Sequence, residues 1–409
     1  MKKSVYTFMM LLLICILSFS ASAYENEEFY KTENEKKVIN VFNWGEYISD
    51  SYEDGLLDVN KEFEKLTGIK VNYVTFESNE DMYAKIKNGG ASYDVIIPSD
   101  YMIERMKVEG LLETYDFRTL PNYKFVDEKY RSMYFDEDGQ YSVPYNVGMV
   151  GLIYNTKVVK EKPDSWSVMW DERYKGKILM IDNPRDAFAV AQKLLGYSLN
   201  STDEKEFADC SQLLIEQKPV LQGYVMDEIY NKMESGEAAI APYYVGDFII
   251  MNSVNPDLDF VYPKEGVNIF VDSMCIPKGA QNIEGALKYI NFMLDPKIAL
   301  SNALYIGYAT PNKGALQSEE YKEMAENKYL YPDEENMPSV EYFHNLPKET
   351  LDMLSSLWNE IKVAGNSNTH IYVGFGVVAA VVVFYLTRKA LIQRKREYWY
   401  DFDHKAAEK

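Results

Sequence analysis

Aromatic side chains and carboxylates recur where predicted strands end, and these two residue types together could bind a cation. Aromatic rings attract ammonium groups through their quadrupole and also pack against methylene chains. Carboxylates pair with ammonium groups through charge-assisted hydrogen bonds. A site with several of each would therefore suit a long, flexible cation that carries more than one charge. The strand-end clusters contain Trp44, Glu46 and Tyr47, then Ser99 and Tyr101, then Asp182, Asn183 and Asp186, then Tyr244, and finally Asp272.

The same clusters have a simpler explanation in the residue types alone. Tyrosine accounts for 34 of the 409 residues, so an aromatic ring near a strand end is unsurprising. Aspartate and glutamate are also common in the first turns of helices, where they stabilise unpaired backbone N–H groups. Sugars bind aromatic surfaces too, but they do not need several carboxylates. Spacing alone leaves the cation site and the structural explanation open.

The chain shows no sequence pattern typical of catalysis or of a bound cofactor. It contains no C-x-x-C, no H-E-x-x-H and no Walker loop, and all its histidines (His344, His370, His404) lie in the last fifth. A Ser-His-Asp arrangement therefore has few candidates. We expect no catalytic residue, no cofactor and no metal. Cys210 and Cys275 could form one disulfide, although their spacing does not require it.

Alternating strands and helices must position these side chains. Val59, Phe63 and Leu66 have helical spacing. Gly68 follows them where a helix commonly ends on glycine. The alternation at residues 69–73 predicts a strand, and similar signals continue to "DVIIP" and restart at "KILMI". This order is typical of parallel α/β sheets, in which ligands bind beyond the carboxyl ends of the strands.

The predicted organisation is two α/β lobes, with the chain crossing between them near Pro144 and near Gly266. Membrane and targeting segments flank the lobes. The boundaries are 1–23 for a signal peptide, 24–37 for a flexible leader, 38–147 and 269–314 for lobe 1, 148–268 and 315–365 for lobe 2, 366–370 for a linker, 371–387 for a transmembrane helix and 388–409 for a cytoplasmic tail.

The N-terminal segment has the three parts of a secretory signal peptide. Lys2 and Lys3 precede an apolar run from Val5 to Leu17, and small residues lead up to Ala23. We expect cleavage after Ala23, and an uncleaved N-terminal anchor is the alternative.

A second apolar segment, residues 371–386, predicts a membrane anchor near the other end. It carries no charge, and Arg388 and Lys389 follow it. The run is short for a spanning helix, but snorkelling of these basic side chains can make up the difference. A buried strand is the alternative. By the positive-inside rule the basic tail is cytoplasmic and the preceding lobes face outward. The formal net charge of −20 would repel nucleic acid.

Several stretches resemble one known family, in the same order, from about residue 38 to 365. They are "NWGEY", "FESNEDMYAKIK", "YDVIIPSDY", "SVPYN", "YKGKILMIDNPRDAF", "YPKEG", "FVDSMCIPKGA" and "IGYATPN". As a set they resemble the spermidine/putrescine-binding proteins of polyamine ABC transporters. The resemblance implies the two-lobed periplasmic-binding-protein-like type II fold, in which the lobes close over the ligand by a hinge motion. It also implies a polyamine ligand and, as partners, an ABC permease and its ATPase.

The resemblance further implies individual binding residues, with rings that stack on methylene groups and acids that meet amines. Carried over by position, these are Trp44, Glu46, Tyr47, Ser99, Tyr101, Asp186, Asp272 and Tyr308.

At several of these positions the sequence departs from the family pattern. Gly45 stands where a relative carries a hydroxyl residue. Asn183 stands where an acid is expected, and the neighbouring Asp182 is a candidate substitute. Tyr244 and Phe270 occupy positions where tryptophans would fit the pattern better. These departures leave the preference between spermidine and putrescine open.

Two further family contacts have no clear counterpart. A polar contact expected in the second lobe is not evident at residues 220–226. A family glutamine falls opposite His344 or Asn345, and the sequence does not decide between them.

The leading hypothesis is therefore an extracytoplasmic substrate-binding subunit of an ABC importer, held at the cell membrane by one C-terminal helix. The alternative is a membrane-anchored sensor of a cationic small molecule, for which the short tail offers no recognisable signalling domain. An enzyme that acts on a cationic substrate is a third reading, but no nucleophile, cofactor loop or metal cluster accompanies the carboxylates.

Overall fold

The computed structural model of the chain describes residues 24, 26–31, 36–52, 55–89 and 92–364. The predicted signal peptide, linker, transmembrane helix and tail lie outside these residues. Within the described ranges, no helix is both long enough and apolar enough to cross a membrane. The described residues up to Trp358 belong to one compact unit, which contains both lobes.

The strands of the described residues form one mixed sheet. They are β1 (Val38–Trp44), β2 (Lys70–Phe76), β3 (Val95–Ile96), β4 (Ser142–Asn155), β5 (Ile178–Ile181), β6 (Leu221–Val225), β7 (Ile240–Tyr244), β8 (Leu258–Val261), β9 (Val267–Cys275) and β10 (Val340–Glu341). The order is β2-β1-β3-β9-β4-β7-β5-β6, with β10 paired to β9 and β8 paired to β4. β1 is parallel to β2 and β3, and β5 is parallel to β6 and β7, as predicted for two α/β lobes.

Helices connect and cover these strands. The α-helices are α1 (Glu27–Tyr30), α2 (Val59–Thr67), α3 (Asn79–Lys87), α4 (Asp100–Val108), α5 (Pro184–Leu195), α6 (Glu204–Gln217), α7 (Ile229–Glu234), α8 (Val245–Val254), α9 (Ile283–Met293), α10 (Pro296–Ile306), α11 (Lys313–Leu316), α12 (Lys322–Ala325) and α13 (Lys348–Val363). Short 3-10 helices occur at Phe117–Thr119, Pro121–Phe125, Glu128–Tyr130, Trp166–Trp170, Glu172–Tyr174 and Glu319–Tyr321.

Helix ends in the first lobe follow capping signals that can be seen in the sequence. The Asp58 side chain accepts a hydrogen bond from the Lys61 backbone N–H at the start of α2. Gly68 ends that helix with a φ of 70°, a conformation that costs glycine little. Ser78 caps α3 in the same way as Asp58 caps α2, through the Asp81 N–H. The predicted helix that ends at the glycine is therefore confirmed.

Two long strands carry the chain between the lobes. Residues 142–149 of β4 pair antiparallel with β9, and residues 150–154 pair with β7 in the second lobe. Every residue of β4 and β9 is buried. These strands start close to the crossings predicted at Pro144 and Gly266, and their side chains can therefore reach a site between the lobes.

A packed helix takes the place of the flexible leader predicted for residues 24–37, as far as that segment is described. Tyr30 in α1 is 2% exposed. Its hydroxyl accepts a hydrogen bond from Asn291 Nδ2 at 2.8 Å. Its ring meets the Phe292 ring edge-on, with centroids 6.2 Å apart. The helix is held because the Tyr30 side chain buries apolar area against α9.

Candidate functional site

A cavity lies between the lobes, beyond the carboxyl ends of β1 and β3 in one lobe and of β5 and β7 in the other. Its empty space is about 810 Å³, counting its opening to solvent. All but one of the predicted site residues line it. They are Trp44, Glu46, Tyr47, Ser99, Tyr101, Asn183, Asp186, Tyr244, Phe270, Asp272 and Tyr308.

The turn after β1 brings three of these residues to the cavity. Glu46 has a φ of 47°, in the left-handed region that residues other than glycine rarely adopt. The turn is held by the Tyr47 carbonyl, which accepts hydrogen bonds from Asn43 Nδ2 at 3.2 Å and from the Tyr145 hydroxyl at 2.8 Å. As a result Tyr47 is buried, whereas Glu46 is exposed at the edge of the cavity.

Phe270 and Asp272 lie in the middle of β9 and not at a strand end. Asp272 was predicted to follow the end of a strand, but β9 continues to Cys275. The predicted end is therefore wrong, because a strand buried on both faces shows no polar residue pattern at its true end. Asp272 still reaches the cavity, since it lies opposite Asn146 of β4 where the two crossing strands pair.

Three aspartates in the cavity each accept a hydrogen bond from a tyrosine hydroxyl. The pairs are Tyr47 with Asp272 Oδ2 at 2.6 Å, Tyr244 with Asp186 Oδ2 at 2.9 Å, and Tyr308 with Asp247 Oδ2 at 2.5 Å. Tyr230 donates a second hydrogen bond to Asp247, to Oδ1 at 2.7 Å. Hydrogen bonds to an ionised carboxylate are short and directional, so the tyrosines fix the orientation of the acids.

The rings of these tyrosines also form part of an aromatic wall. The Tyr47 and Tyr308 rings are nearly perpendicular, with centroids 5.3 Å apart. Tyr244 meets Phe270 at 5.5 Å, and Phe270 meets Tyr308 at 6.2 Å. Such a wall offers both apolar contact and negative ring faces to a ligand.

Burial changes the protonation of the cavity acids. Burial, partly offset by the Tyr244 hydrogen bond, raises the pKa of Asp186 to about 7. Burial likewise raises the pKa values of Asp247 and Asp272 to about 6. A nearby positive charge favours the ionised form of a carboxyl group. A bound cation would therefore lower all three pKa values.

Two buried polar atoms of the cavity residues lack a hydrogen-bond partner. They are Asp272 Oδ1 and Trp44 Nε1. Buried polar groups in proteins nearly always have a partner, so an orphan in a cavity indicates a place for a ligand group or water. Among the described residues, no lysine or arginine forms an ion pair with Asp186, Asp247 or Asp272.

Arg185 is the basic side chain among the described residues that line the cavity. Its guanidinium carbon lies 5.2 Å from the centre of the Tyr101 ring and 4.3 Å from that of Phe343. It also donates long hydrogen bonds to the carbonyls of His344, at 3.4 Å, and Leu199, at 3.5 Å. Aromatic rings and backbone carbonyls thus hold this cation. It forms no ion pair with a carboxylate of the described residues.

The structure separates Asp182 from Asn183. Asn183 lines the cavity and caps α5, because its Oδ1 accepts a hydrogen bond from the Arg185 N–H at 3.0 Å. Asp182 lies outside, in a neighbouring cavity with Glu77 and Tyr224. It therefore does not substitute within the main cavity for the acid expected at Asn183.

The resemblance implied a counterpart of a family glutamine at His344 or Asn345. Neither of these residues lines the cavity, whereas the preceding Phe343 does. Phe343 is 3% exposed, and its ring meets the Tyr101 ring at 5.8 Å. An aromatic side chain therefore lines the cavity at this place.

Sequence reasoning missed several residues that line the cavity, of which two are acids of the second lobe. Asp247 lies in the first turn of α8, where the helix dipole alone would explain an acid. The available signal was its position three residues after Tyr244, which resembles the other strand-end clusters. Asp227 directly follows the stretch 220–226 in which no polar counterpart was found. A methyl group added at Gly45 would lie 2.7 Å from Asp227 Oδ2, so this glycine leaves room for the acid.

Two other predictions concern metal and disulfide bonding. No group of three or more histidine, cysteine, aspartate or glutamate residues in the described part of the chain is arranged to hold a metal ion. Cys210 and Cys275 are both buried and free. They do not meet, so the optional disulfide does not form in this structure.

Comparison with known proteins adds to this geometry. A profile of the bacterial extracellular solute-binding proteins matches residues 59–328. The spermidine/putrescine-binding periplasmic protein of Escherichia coli (strain K12) is 37% identical over 311 residues, which are 76% of this chain and 87% of that protein. The putrescine/cadaverine-binding protein of Pseudomonas aeruginosa is 29% identical over 87% of this chain and 99% of its own length. Among solved structures, the substrate-binding protein PotD from Streptococcus pneumoniae has a TM-score of 0.66 at 35% identity, covering 80% of this chain and 99% of that one.

Proposed function

The chain belongs to the bacterial extracellular solute-binding proteins, and we propose that it is the subunit of an ABC importer that binds a polyamine outside the cytoplasm. Proteins of this family bind solutes for transport, so the chain is a binding protein and not an enzyme. The similar proteins named above bind spermidine, putrescine or cadaverine, as their names state. The proposal carries this class of ligand over to the cavity between the lobes.

The observation that carries the proposal is a set of oriented carboxylates that form no ion pair with a basic side chain of the described residues. Asp186, Asp247 and Asp272 each face a tyrosine hydroxyl, and none has an ion pair with a lysine or arginine of the described residues. Burying an unpaired carboxylate is costly. A ligand that brings ammonium groups to these acids removes that cost, and Asp272 Oδ1 still has room for a hydrogen bond.

Aromatic rings account for the part of the ligand between its charges. In the proposed complex, Trp44, Tyr47 and Tyr308 contact the methylene groups. Where an ammonium lies over one of these rings, the cation–π interaction contributes about 0.5–2 kcal/mol to binding. Gly45 allows the backbone and Asp227 to approach each other closely. The strands β4 and β9, which connect the lobes, are the elements about which the lobes would close over the ligand.

Transport requires partners beyond the ligand. We infer that the closed protein docks on an ABC permease, which is coupled to its ATPase. The segment 371–387, outside the described residues, would hold the protein on the outer face of the membrane, and its uncharged run followed by basic residues supports this. Residues 1–23 would direct the chain for export.

The first test is calorimetric titration of the full-length protein with spermidine and with putrescine at low salt. The expected result is tight one-to-one binding of one or both. If the protein is folded and binds neither, the polyamine proposal fails and the cavity belongs to another solute.

A separate test addresses the anchor. Membranes that contain the full-length chain, or the same chain without residues 366–409, would be washed with high salt and alkaline buffer. The full-length chain should remain with the membrane, and the shortened chain should be released. Release of both chains would contradict the proposed anchor but would leave the proposal of a polyamine ligand unaffected.

A further inference from the structure

The acids that line the cavity are unevenly placed along it. One group, called here the acidic end, consists of Glu46, Glu77, Asp227 and Asp247. Mutual repulsion links its members: Glu46 and Glu77 act on Asp227, and Asp227 acts on Asp247. A second group, called here the central pair, consists of Asp186 and Asp272, and Asp272 acts on Asp186.

Two tyrosines separate the acidic end from the central pair. Tyr308 donates its hydroxyl to Asp247 at 2.5 Å, and Tyr47 donates its hydroxyl to Asp272 at 2.6 Å. Their rings pack against each other with centroids 5.3 Å apart. The cavity therefore offers two negative positions with an aromatic surface between them.

The region beyond the central pair has a different character. This arginine end consists of Asn183, Arg185 and Phe343, which all line the cavity. The Arg185 guanidinium lies 4.3 Å from the centre of the Phe343 ring. Asn183 carries no charge, and its Oδ1 already accepts a backbone N–H of α5. A positive charge, an amide and an apolar ring thus occupy this end.

Two further carboxyl groups lie near the arginine end, and each accepts at least one hydrogen bond from the protein. Asp100 lines the cavity, but its Oδ1 accepts the Tyr101 N–H at 2.7 Å and its Oδ2 accepts the Val271 N–H at 3.2 Å. Glu80 does not line the cavity; its Oε1 accepts the Tyr101 hydroxyl at 3.1 Å, and its buried Oε2 has no hydrogen-bond partner among the described residues. Glu80, Asp186 and Asp100 all act on Arg185, and each of them offsets its buried charge.

We propose that this cavity selects a diamine over a triamine, because it has carboxylates for two ammonium groups and a buried guanidinium where a third would lie. The inference rests on the proposed function. In a diamine complex, one ammonium meets the central pair, the other meets the acidic end, and the carbon chain crosses the Tyr47 and Tyr308 rings. A third ammonium would lose its hydration beside Arg185 and Phe343 without gaining a carboxylate.

The first measurement compares putrescine, a diamine, with spermidine, a triamine, on the full-length protein by calorimetry. The expected result is a dissociation constant for putrescine at least about tenfold lower, a difference that one poorly paired charge readily accounts for. Spermidine that binds as tightly as putrescine, or more tightly, would overturn the inference and leave the proposed function standing. If neither ligand binds, the proposed function itself fails.

Asn183→Asp tests the charge argument directly. Aspartate caps helices as well as asparagine does, so α5 should be retained. The new carboxylate would face the cavity beside Arg185 and provide a partner for a third ammonium. We expect the preference for putrescine over spermidine to fall by about tenfold or more in this variant.

Asn231→Asp is the matched control, since it makes the same change of atoms and charge. Asn231 is exposed and lines the two outer cavities but not the main one. The ratio of the two affinities should stay the same in this variant. An equal change of the affinity ratio in both variants, or an unchanged ratio in Asn183→Asp, would refute the idea that missing negative charge at the arginine end sets the preference.

Discussion

An aspartate that is bound by a tyrosine is oriented without being neutralised. Asp186, Asp247 and Asp272 all have this environment in the cavity. A lysine or arginine partner would have satisfied the charge and left nothing for a ligand to gain. The phenol hydroxyl instead fixes one oxygen and leaves the negative charge available, which is the condition a receptor for cations needs.

Asp272→Asn should weaken polyamine binding by about 2–5 kcal/mol, the range for removing one member of a buried charge pair. The amide keeps the shape of the side chain, and its oxygen can still accept the Tyr47 hydroxyl. Titration calorimetry measures the change. Asp182→Asn removes the same charge outside the main cavity and serves as the control. An affinity equal to that of the unaltered protein would exclude Asp272 from the site.

Polyamine affinity should fall as the pH is lowered from about 8 to about 5. The pKa values of Asp186, Asp247 and Asp272 are raised by burial to between about 6 and 7, so these acids take up protons in that range. A cationic ligand needs their ionised forms, so binding releases protons. For each pH unit below the pKa, the affinity should fall by up to about tenfold per proton released on binding. Calorimetry in two buffers with different ionisation enthalpies counts the protons, and a count of zero would contradict the prediction.

The same groups make the opposite prediction for the ligand-free protein. Each of the three carboxyl groups has a higher pKa folded than its ordinary value of about 3.9, so the folded state binds more protons than the unfolded state between about pH 4 and 7. The ligand-free protein therefore loses stability as the pH rises through that window. Ligand should recover stability at pH 7.5 more strongly than at pH 5, as thermal unfolding curves would reveal.

At the scale of elements, the start of α8 approaches the first lobe closely. A methyl group added at Gly246 would lie 1.8 Å from Tyr308 Cδ2, and one added at Gly148 would lie 2.4 Å from Phe270 Cζ. These glycines let rings lie directly on the backbone of β4 and α8. The contact places the Tyr308 hydroxyl within reach of Asp247, one residue beyond Gly246.

Gly246→Ala should therefore weaken ligand binding by at least about tenfold, because overpacking costs about 1–3 kcal/mol and displaces Tyr308. Gly223→Ala, in β6 of the same lobe, is the control, since a methyl group there meets no atom within 4 Å. Both variants would be titrated with putrescine after circular dichroism shows that they are folded. Equal affinities would mean that Tyr308 can move without loss of the site.

For the whole molecule, the thiols lie where they contribute to packing and not to cross-linking. Cys210 in α6 and Cys275 at the end of β9 are both 0% exposed and free. Burial raises the pKa of Cys210 to about 12 and raises that of Cys275 well above its ordinary value. Thiolates react and thiols do not, so neither residue is reactive in the folded protein.

A thiol reagent should therefore modify Cys210 and Cys275 only after unfolding, and a reductant should leave the unfolding temperature unchanged. Peptide mapping by mass spectrometry identifies the modified residues. If the reductant lowered the unfolding temperature by several degrees, or if mapping found a disulfide-linked peptide pair, the prediction of free thiols would be wrong.

The sequence alone determined the order of the elements and most of the acid and aromatic clusters. Helices and strands depend on local spacing and on caps such as Gly68, and those signals act between residues a few positions apart. In parallel α/β sheets the strand ends meet at one edge, so the chemistry after β1, β3 and β5 could be assigned to one site before any contact was known.

Only the tertiary structure decided which neighbouring residues share the cavity and what each one faces. Asp182 and Asn183 are adjacent, yet packing turns one side chain out of the cavity and the other into it. The approach of Asp227 to Gly45, and the hydrogen bonds that pair each cavity aspartate with a distant tyrosine, join residues far apart in the chain. Local spacing carries no information about such pairs, because they depend on how two separately specified lobes meet.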